Sequence, residues 1–248
     1  MDALIRGIVS RGLQATPVQA DGGDSLAAGT RMGKYNELFD LTPLSYKQVL
    51  ADEGAYFTVN NAQAGLATAA APTSFSSTNP FLIVYNKASP GAAGLRVYFD
   101  YITLLVTAAG TNGTNVQFAV VTDNGNRYSS AGTNLTANIV SSNMDSGVTS
   151  QCQVYGGNLT ATTATAAART IVGQRYMSGA IPAIGDEYTL VFGSSTIQQQ
   201  LSVSAIKKDI NTAPPLIIGP NQSMLFFIWL AGQSGASSYA PEIGWAER

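Results

Sequence analysis

The amino-acid sequence predicts an all-β protein, a sandwich or barrel, preceded by an irregular arm and one short helix. Three observations carry that expectation. From residue 55 onward, ten short runs rich in β-branched and aromatic residues follow one another, with Gly, Asn and Pro between them. Of the 13 basic and 15 acidic residues, twelve stand before residue 56, so the chain changes character there. Charged residues make up 11% of the 248, against roughly 25% in an ordinary soluble domain. The length is ample for one large core.

The first part, residues 1–54, reads as an extended N-terminal arm with a short helix near its end. "QADGGDSLAAGTRMG" is rich in Gly and Ala and has no period. "LIRGIVSRGL" places Leu4, Ile5, Ile8, Val9 and Leu13 within helical reach of one another, while Gly7 and Gly12 weaken a free helix. That is too little apolar material for a core and more than a spacer needs. These five residues are therefore expected to form an assembly arm that orders against another chain; the alternative is an arm that folds back over its own domain. Fully extended, about 40 residues at roughly 3.3 Å each reach on the order of 100 Å. In "DLTPLSYKQVLADEGAYF" a helix is expected over about 43–52. Thr42 is its N-cap, Pro43 takes the first helical position and Gly54 follows the end.

Residues 55–248 are read as the β domain. Its candidate strands are Ala55–Val59, Phe81–Tyr85, Leu95–Thr107, Asn115–Thr122 and Gln151–Tyr155. Arg169–Tyr176, Glu187–Phe192, Pro215–Ile218, Met224–Leu230 and Pro241–Ala246 complete the set. In "NVQFAVVTDNGNRYSS", Asp123-Asn124-Gly125-Asn126 supplies the positive-φ residues of a tight hairpin. "VYFDYITLLV" alternates and then becomes wholly apolar, the pattern of a strand passing into a position covered on both faces. Lys207-Lys208, the only basic pair, is read as a solvated turn.

Chemistry is constrained mainly by what is missing. Without histidine the chain has no Ser–His or Cys–His nucleophile, no ordinary zinc site and no imidazole base. Cys152 stands alone, so an intrachain disulfide framework is excluded, and a small core residue is expected there. Asp186 and Glu187 are adjacent at a strand entry and should point apart, unlike the converging carboxyl pair of a glycosidase. Neither GxGxxG nor GK[ST] occurs, and "DNGN" lacks the later ligands of a calcium loop. No enzyme activity and no cofactor or metal is expected. A net charge of −2 gives no basic surface for nucleic acid. The apolar run Met224–Ala231 is too short to span a bilayer, and "MDALIRGIVSRG" is no signal peptide, so no membrane partner is expected. Tyr98, Phe99, Phe226, Phe227, Trp229 and Trp245 could stack on a sugar, but at strand spacing they read as core.

The order of features resembles a loose family of tailed-bacteriophage virion structural proteins. "RMGKYNELFDL" (Arg31, Gly33, Glu37, Leu38) is followed by "EGAYFTVNNA" (Gly54, Tyr56, Phe57), a Thr/Ser-rich spacer, "PFLIVYNKASPGAAGLRVYFDYI" and "PEIGWAER". The most distinctive part lies around Tyr85, Asn86 and Gly94, and the likeness runs from about residue 30 to the end. It implies a jelly-roll-like β-sandwich without catalytic residues, carried on the outside of the particle and made in the bacterial cytoplasm. On this reading the chain is a capsid decoration or cement subunit. Its partners would be copies of itself, three around an axis, and the major capsid or another virion protein. The alternative is a receptor- or carbohydrate-binding head-fibre or tail-associated subunit. That role would call for exposed aromatics in the loops 107–115, 129–150 and 232–240, where Tyr239 is the only one.

Overall fold

The structure, a computed structural model, describes residues 31–32, 38–39, 46–61, 65–68, 73–89, 95–178, 181–193, 201–203 and 206–248. The chain divides into two compact units, Met1–Val49 and Leu50–Arg248. In the first, β1 (Arg31–Met32) pairs antiparallel with β2 (Leu38–Phe39). Leu4, Ile5, Ile8, Val9 and Leu13 lie outside the described residues, as do Thr42 and Pro43. The helix α1 occupies Tyr46–Asp52. Gly54 terminates it at φ +70°, its N–H reaching Ala51 O at 2.9 Å while Ala55 N–H reaches Leu50 O at 2.8 Å. A side chain at that dihedral is strained, which is why glycine stands there.

The second unit is all-β, as the sequence predicts. Its strands begin with β3 (Tyr56–Asn60), β4 (Leu66–Ala67), β5 (Leu82–Asn86), β6 (Val97–Ala108) and β7 (Thr114–Asn124). Next come β8 (Tyr128–Asn134), a single 3-10 turn (Thr136–Asn138), β9 (Ile139–Ser141), β10 (Cys152–Ala161) and β11 (Arg169–Ser178). The last are β12 (Glu187–Phe192), β13 (Leu201–Val203), β14 (Ile206–Ala213), β15 (Ile217–Ile218), β16 (Gln222–Ala231) and β17 (Ser238–Glu247). One sheet runs β11-β7-β16-β5-β10-β8. The other runs β13-β14-β12-β6-β17-β3-β9, with β15 on β6 and β4 on β17 to make nine strands. The described pairings are antiparallel except β12 with β14.

The two sheets bury a common core between their inner faces. Alternation sets which residues enter it. Val97, Phe99, Ile102, Leu104 and Val106 of β6 face inward, as do Ile243 and Trp245 of β17, against Phe118, Phe226 and Ile228 from the other sheet. At Asp100-Tyr101 the register with β17 shifts, so both residues point outward and the alternation resumes at Ile102.

Four expectations are corrected. First, β7 and β8 do not form a hairpin. Gly125 takes its positive φ of +80°, but β7 already has β11 and β16 as neighbours, and β8 pairs with β10 at the far edge of the sheet. Second, Lys207 and Lys208 are not in a turn; they belong to β14. Third, the apolar end of β6 is not covered on both faces, since Leu105 is 41% exposed. Fourth, the supposed loop 129–150 contains most of β8, the 3-10 turn and β9.

The strand covered on both faces is β16. Met224, Phe226, Ile228 and Leu230 enter the main core, while Leu225, Phe227 and Trp229 join a second apolar cluster on the outer face. That outer layer is built by the chain itself. The register of β10 with β8 breaks between Gly156 and Leu159, and Leu159 and Ala161 then lie with Ile83, Val121 and Leu225. Phe75 closes edge-on over Phe227 and Trp229, with ring centroids 4.9 and 5.8 Å away. Tyr128 stacks on Tyr155 at 3.8 Å.

A buried ion pair fastens this layer. Arg127 donates to the Asp123 carboxylate at the end of β7, to Thr162 O at 2.6 and 3.0 Å, and to Ser77 O at 3.2 Å. Asp123 also accepts from Thr165 N–H at 3.0 Å, from the Thr165 hydroxyl and from Asn124 N–H at 2.8 Å. Burial raises its carboxyl pKa, but the hydrogen bonds from Thr165, Arg127 and Asn124 outweigh that and hold it below the ordinary carboxylate value.

Candidate functional site

Two places concentrate polar chemistry besides the Arg127 fastening. The first is the end of β17. Glu247 is buried there and accepts Trp245 Nε1–H at 2.9 Å, Gln151 N–H at 2.8 Å and the Ser150 hydroxyl. Cys152 lies beside it, fully buried, and its thiol pKa is pushed far up, by burial first and then by the Glu247 charge. A high thiol pKa suppresses the thiolate that a nucleophile or metal ligand requires. A cleft of about 200 Å³ borders this group, lined by Phe57, Ile139, Val148 and the hydroxyls of Ser141, Thr149 and Ser150. Both carboxylate oxygens of Glu247 are engaged by in-chain donors, so its chemistry is structural: it ties the 150–152 segment to β17.

The second is the outer face of the nine-stranded sheet. Tyr56 of β3 reaches over β17 and donates to Asp100 Oδ2 on β6 at 2.6 Å. Tyr101 of β6 donates to Glu242 Oε1 on β17 at 2.5 Å. The two side chains cross over Gly244, where a Cβ would stand 2.4 Å from Tyr101 Cε1 and 2.8 Å from the Tyr56 hydroxyl oxygen. A side chain at this position would have to push the two tyrosyl ends aside. Burial first, and then the hydrogen bond to Asp100, lifts the Tyr56 hydroxyl pKa well above the usual tyrosine value. Burial and the hydrogen bond to Glu242 do the same for Tyr101. Both hydroxyls therefore remain protonated donors above the pH at which an ordinary tyrosine ionises. Thr103 and Thr189 hydroxyls meet at 3.2 Å on the same face.

Several residues singled out in the sequence can now be placed. Phe99, Phe226, Phe227, Trp229 and Trp245 are buried, as expected of core aromatics, whereas Tyr98, read with them as core, is half-buried at an outward position of β6. Tyr239, the aromatic needed for a loop-borne sugar site, is fully buried, and burial pushes its hydroxyl up to about 12. Asp186 is buried just before β12, accepting Ala183 N–H at 2.8 Å, while Glu187 opens the strand half-exposed. Sequence reasoning missed the tyrosine brace, because only the register of β3, β17 and β6 brings Tyr56, Asp100, Tyr101 and Glu242 together. Among the described residues no cluster of His, Cys, Asp and Glu could hold a metal ion, and no helix is long and apolar enough to cross a membrane. Comparison with protein-family models, with curated proteins and with solved structures found no match, so the reading of function rests on the fold and its surfaces.

Proposed function

We propose that the chain is a non-enzymatic virion structural protein, a decoration or cement subunit of jelly-roll type that associates with copies of itself, as a trimer, and stabilises a bacteriophage capsid. One observation carries this reading. A body whose core is already complete leaves large apolar side chains on its surface, among them Met144, Ile184, Tyr176 and Val140, while carrying under half the usual complement of charge. A free-standing domain uses charge to stay dispersed, whereas a subunit covered by neighbours does not need it. Each weak contact, at roughly 25 cal/mol per Å² of apolar area before association costs, is reinforced by many copies on a lattice. The polar clusters support a role without catalysis, since Asp123 and Glu247 are engaged in holding the fold together. The test is an image reconstruction of the particle encoded with this chain. Ordered density for a two-sheet subunit on the outside of the shell is expected; particles that lack the chain altogether would exclude the proposal. A glycan array separates the receptor-binding alternative, because a cement subunit shows no ligand there.

A further inference from the structure

The six-stranded sheet ends in two edge strands, β11 and β8. An edge presents backbone N–H and C=O groups with no strand beside them, a template for pairing with another chain. β11 is blunted by familiar means: it carries Arg169 and Arg175, and its register with β7 shifts three times. β8 has neither charge nor proline. Its sequence is "YSSAGTN", and the residues from Ser129 to Asn134 are all exposed. By composition it is an open edge, able to take up a further strand.

Its backbone is not open. Ala131 and Gly132 stand one after the other in the left-handed region, at φ +64° and +69°. Two such residues turn their peptide planes away from the extended course, so the free N–H and C=O groups on either side no longer form one row. The pairing with β10 records the break: Thr133 lies opposite Gly156 and Ala131 opposite Leu159, with Gly157 and Asn158 passed over. One carbonyl of the kink is also taken. Tyr128, its ring stacked on Tyr155, donates its hydroxyl to Ala131 O at 3.1 Å. Packing accounts for Gly132, where a Cβ would stand 2.8 Å from Gly156 O and 2.2 Å from Leu159 Cδ2. It does not account for Ala131, which is exposed and joins neither apolar cluster. Among the described residues the other non-glycine positions with positive φ are Asn112, Asn115 and Asn221. Asparagine tolerates that region, whereas alanine is strained in it. Strain kept at an exposed position, with no apolar packing to hold it, calls for another use of the conformation.

We infer that the Ala131–Gly132 kink guards this edge: it stops β8 from accepting a strand of a second copy, so that copies of the chain do not join by extending the six-stranded sheet at β8. The inference goes beyond the virion reading and does not rest on it, so either can fail while the other stands.

The experiment follows the purified full-length chain by sedimentation and thioflavin fluorescence over days, well below its melting temperature. Ala131→Val favours extended backbone and so works against the kink. Ser130→Val adds the same side chain one residue earlier, at a position without positive φ, and is the control. Ala131→Gly keeps the kink and removes its strain. Near-UV circular dichroism establishes that each variant is folded. Ala131→Val is expected to associate about tenfold faster than wild type or more. Ser130→Val and Ala131→Gly should behave like wild type, with Ala131→Gly melting about 1–4 °C higher. Folded Ala131→Val that stays as dispersed as wild type overturns the inference. So does Ser130→Val that associates as fast as Ala131→Val, and Ala131→Gly that melts no higher removes the strain on which the inference stands. Should Ala131→Val not fold, amide hydrogen exchange of the wild type decides. As its concentration is raised, the amides of residues 129–133 that exchange freely in dilute solution are expected to stay free; their protection overturns the inference.

Discussion

Replacing Arg127 by methionine removes one partner of a buried ion pair while keeping most of the side-chain volume. Both side chains are essentially inaccessible, at 2% and 0%. Breaking such a pair strands the remaining charge and costs about 3–5 kcal/mol. The carbonyls of Thr162 and Ser77 lose their donor in the same step. For a chain of this size each kcal/mol lowers the melting temperature by about 2–4 °C, so a fall of roughly 6–20 °C is expected. Urea denaturation of Arg127→Met, Asp123→Leu and the double variant gives the coupling, expected to be about 1–3 kcal/mol in favour of the pair. The pH dependence supplies a second check. A carboxyl pKa depressed on folding contributes stability that is present above the unfolded pKa near 4 and lost as pH falls through the lower folded value. Wild type should therefore lose stability below about pH 4, and Asp123→Leu should lack that component. A loss of under about 1 kcal/mol in Arg127→Met would refute the assignment of the guanidinium as the fastening of the outer layer.

Four further outcomes are expected. Cys152 should resist a thiol reagent in the native protein and react only as fast as the structure opens; immediate labelling would contradict its burial. Tyrosine absorbance at alkaline pH should show Tyr56, Tyr101 and Tyr239 ionising late. Because their folded pKa values are raised, the stability they confer is complete below about pH 10 and is lost as pH climbs through the folded values, so the late step should coincide with unfolding. Gly244→Ala should cost about 1–2 kcal/mol, modest because the tyrosyl ends can swing aside, and the loss should shrink in a Tyr101→Ala background. Deleting residues 1–30 should leave the melting temperature of the β domain nearly unchanged and sharply reduce incorporation into particles; unchanged incorporation would show that the arm is not an anchor.

The strands that were legible in the sequence are those whose pattern answers to local chemistry. Glu187–Phe192 alternates cleanly behind a Gly turn and is the strand observed; the apolar runs of β6 and β16 were equally plain. β8 was hidden because "YSSAGTN" is exposed at nearly every position and so carries no alternation. β14 was hidden by the Lys207-Lys208 pair. The difference between β6 and β16 could not be read at all. The end of β6 and the middle of β16 both look wholly apolar, yet of the two only β16 has a second layer over its outer face, laid down by residues far away in sequence. The same holds for Asp123: its turn chemistry was visible, whereas nothing in "GNRYSS" marks Arg127 as its buried partner.

The two last strands of the fold, β16 and β17, sit in the middle of their sheets, β16 between β5 and β7 and β17 between β3 and β6. Neither sheet can close until residues 222–247 have been made. A chain emerging in order exposes β5, β7, β3 and β6 as unpaired edges for most of its synthesis, and such edges are templates for pairing with another chain. The pairings that finally seal them join residues far apart in sequence, such as Trp245 with Phe57, a topology that folds slowly. Closure of this β domain therefore waits for its last two strands. Its yield should depend on chaperone capacity and synthesis rate more than the stability of the finished sandwich suggests.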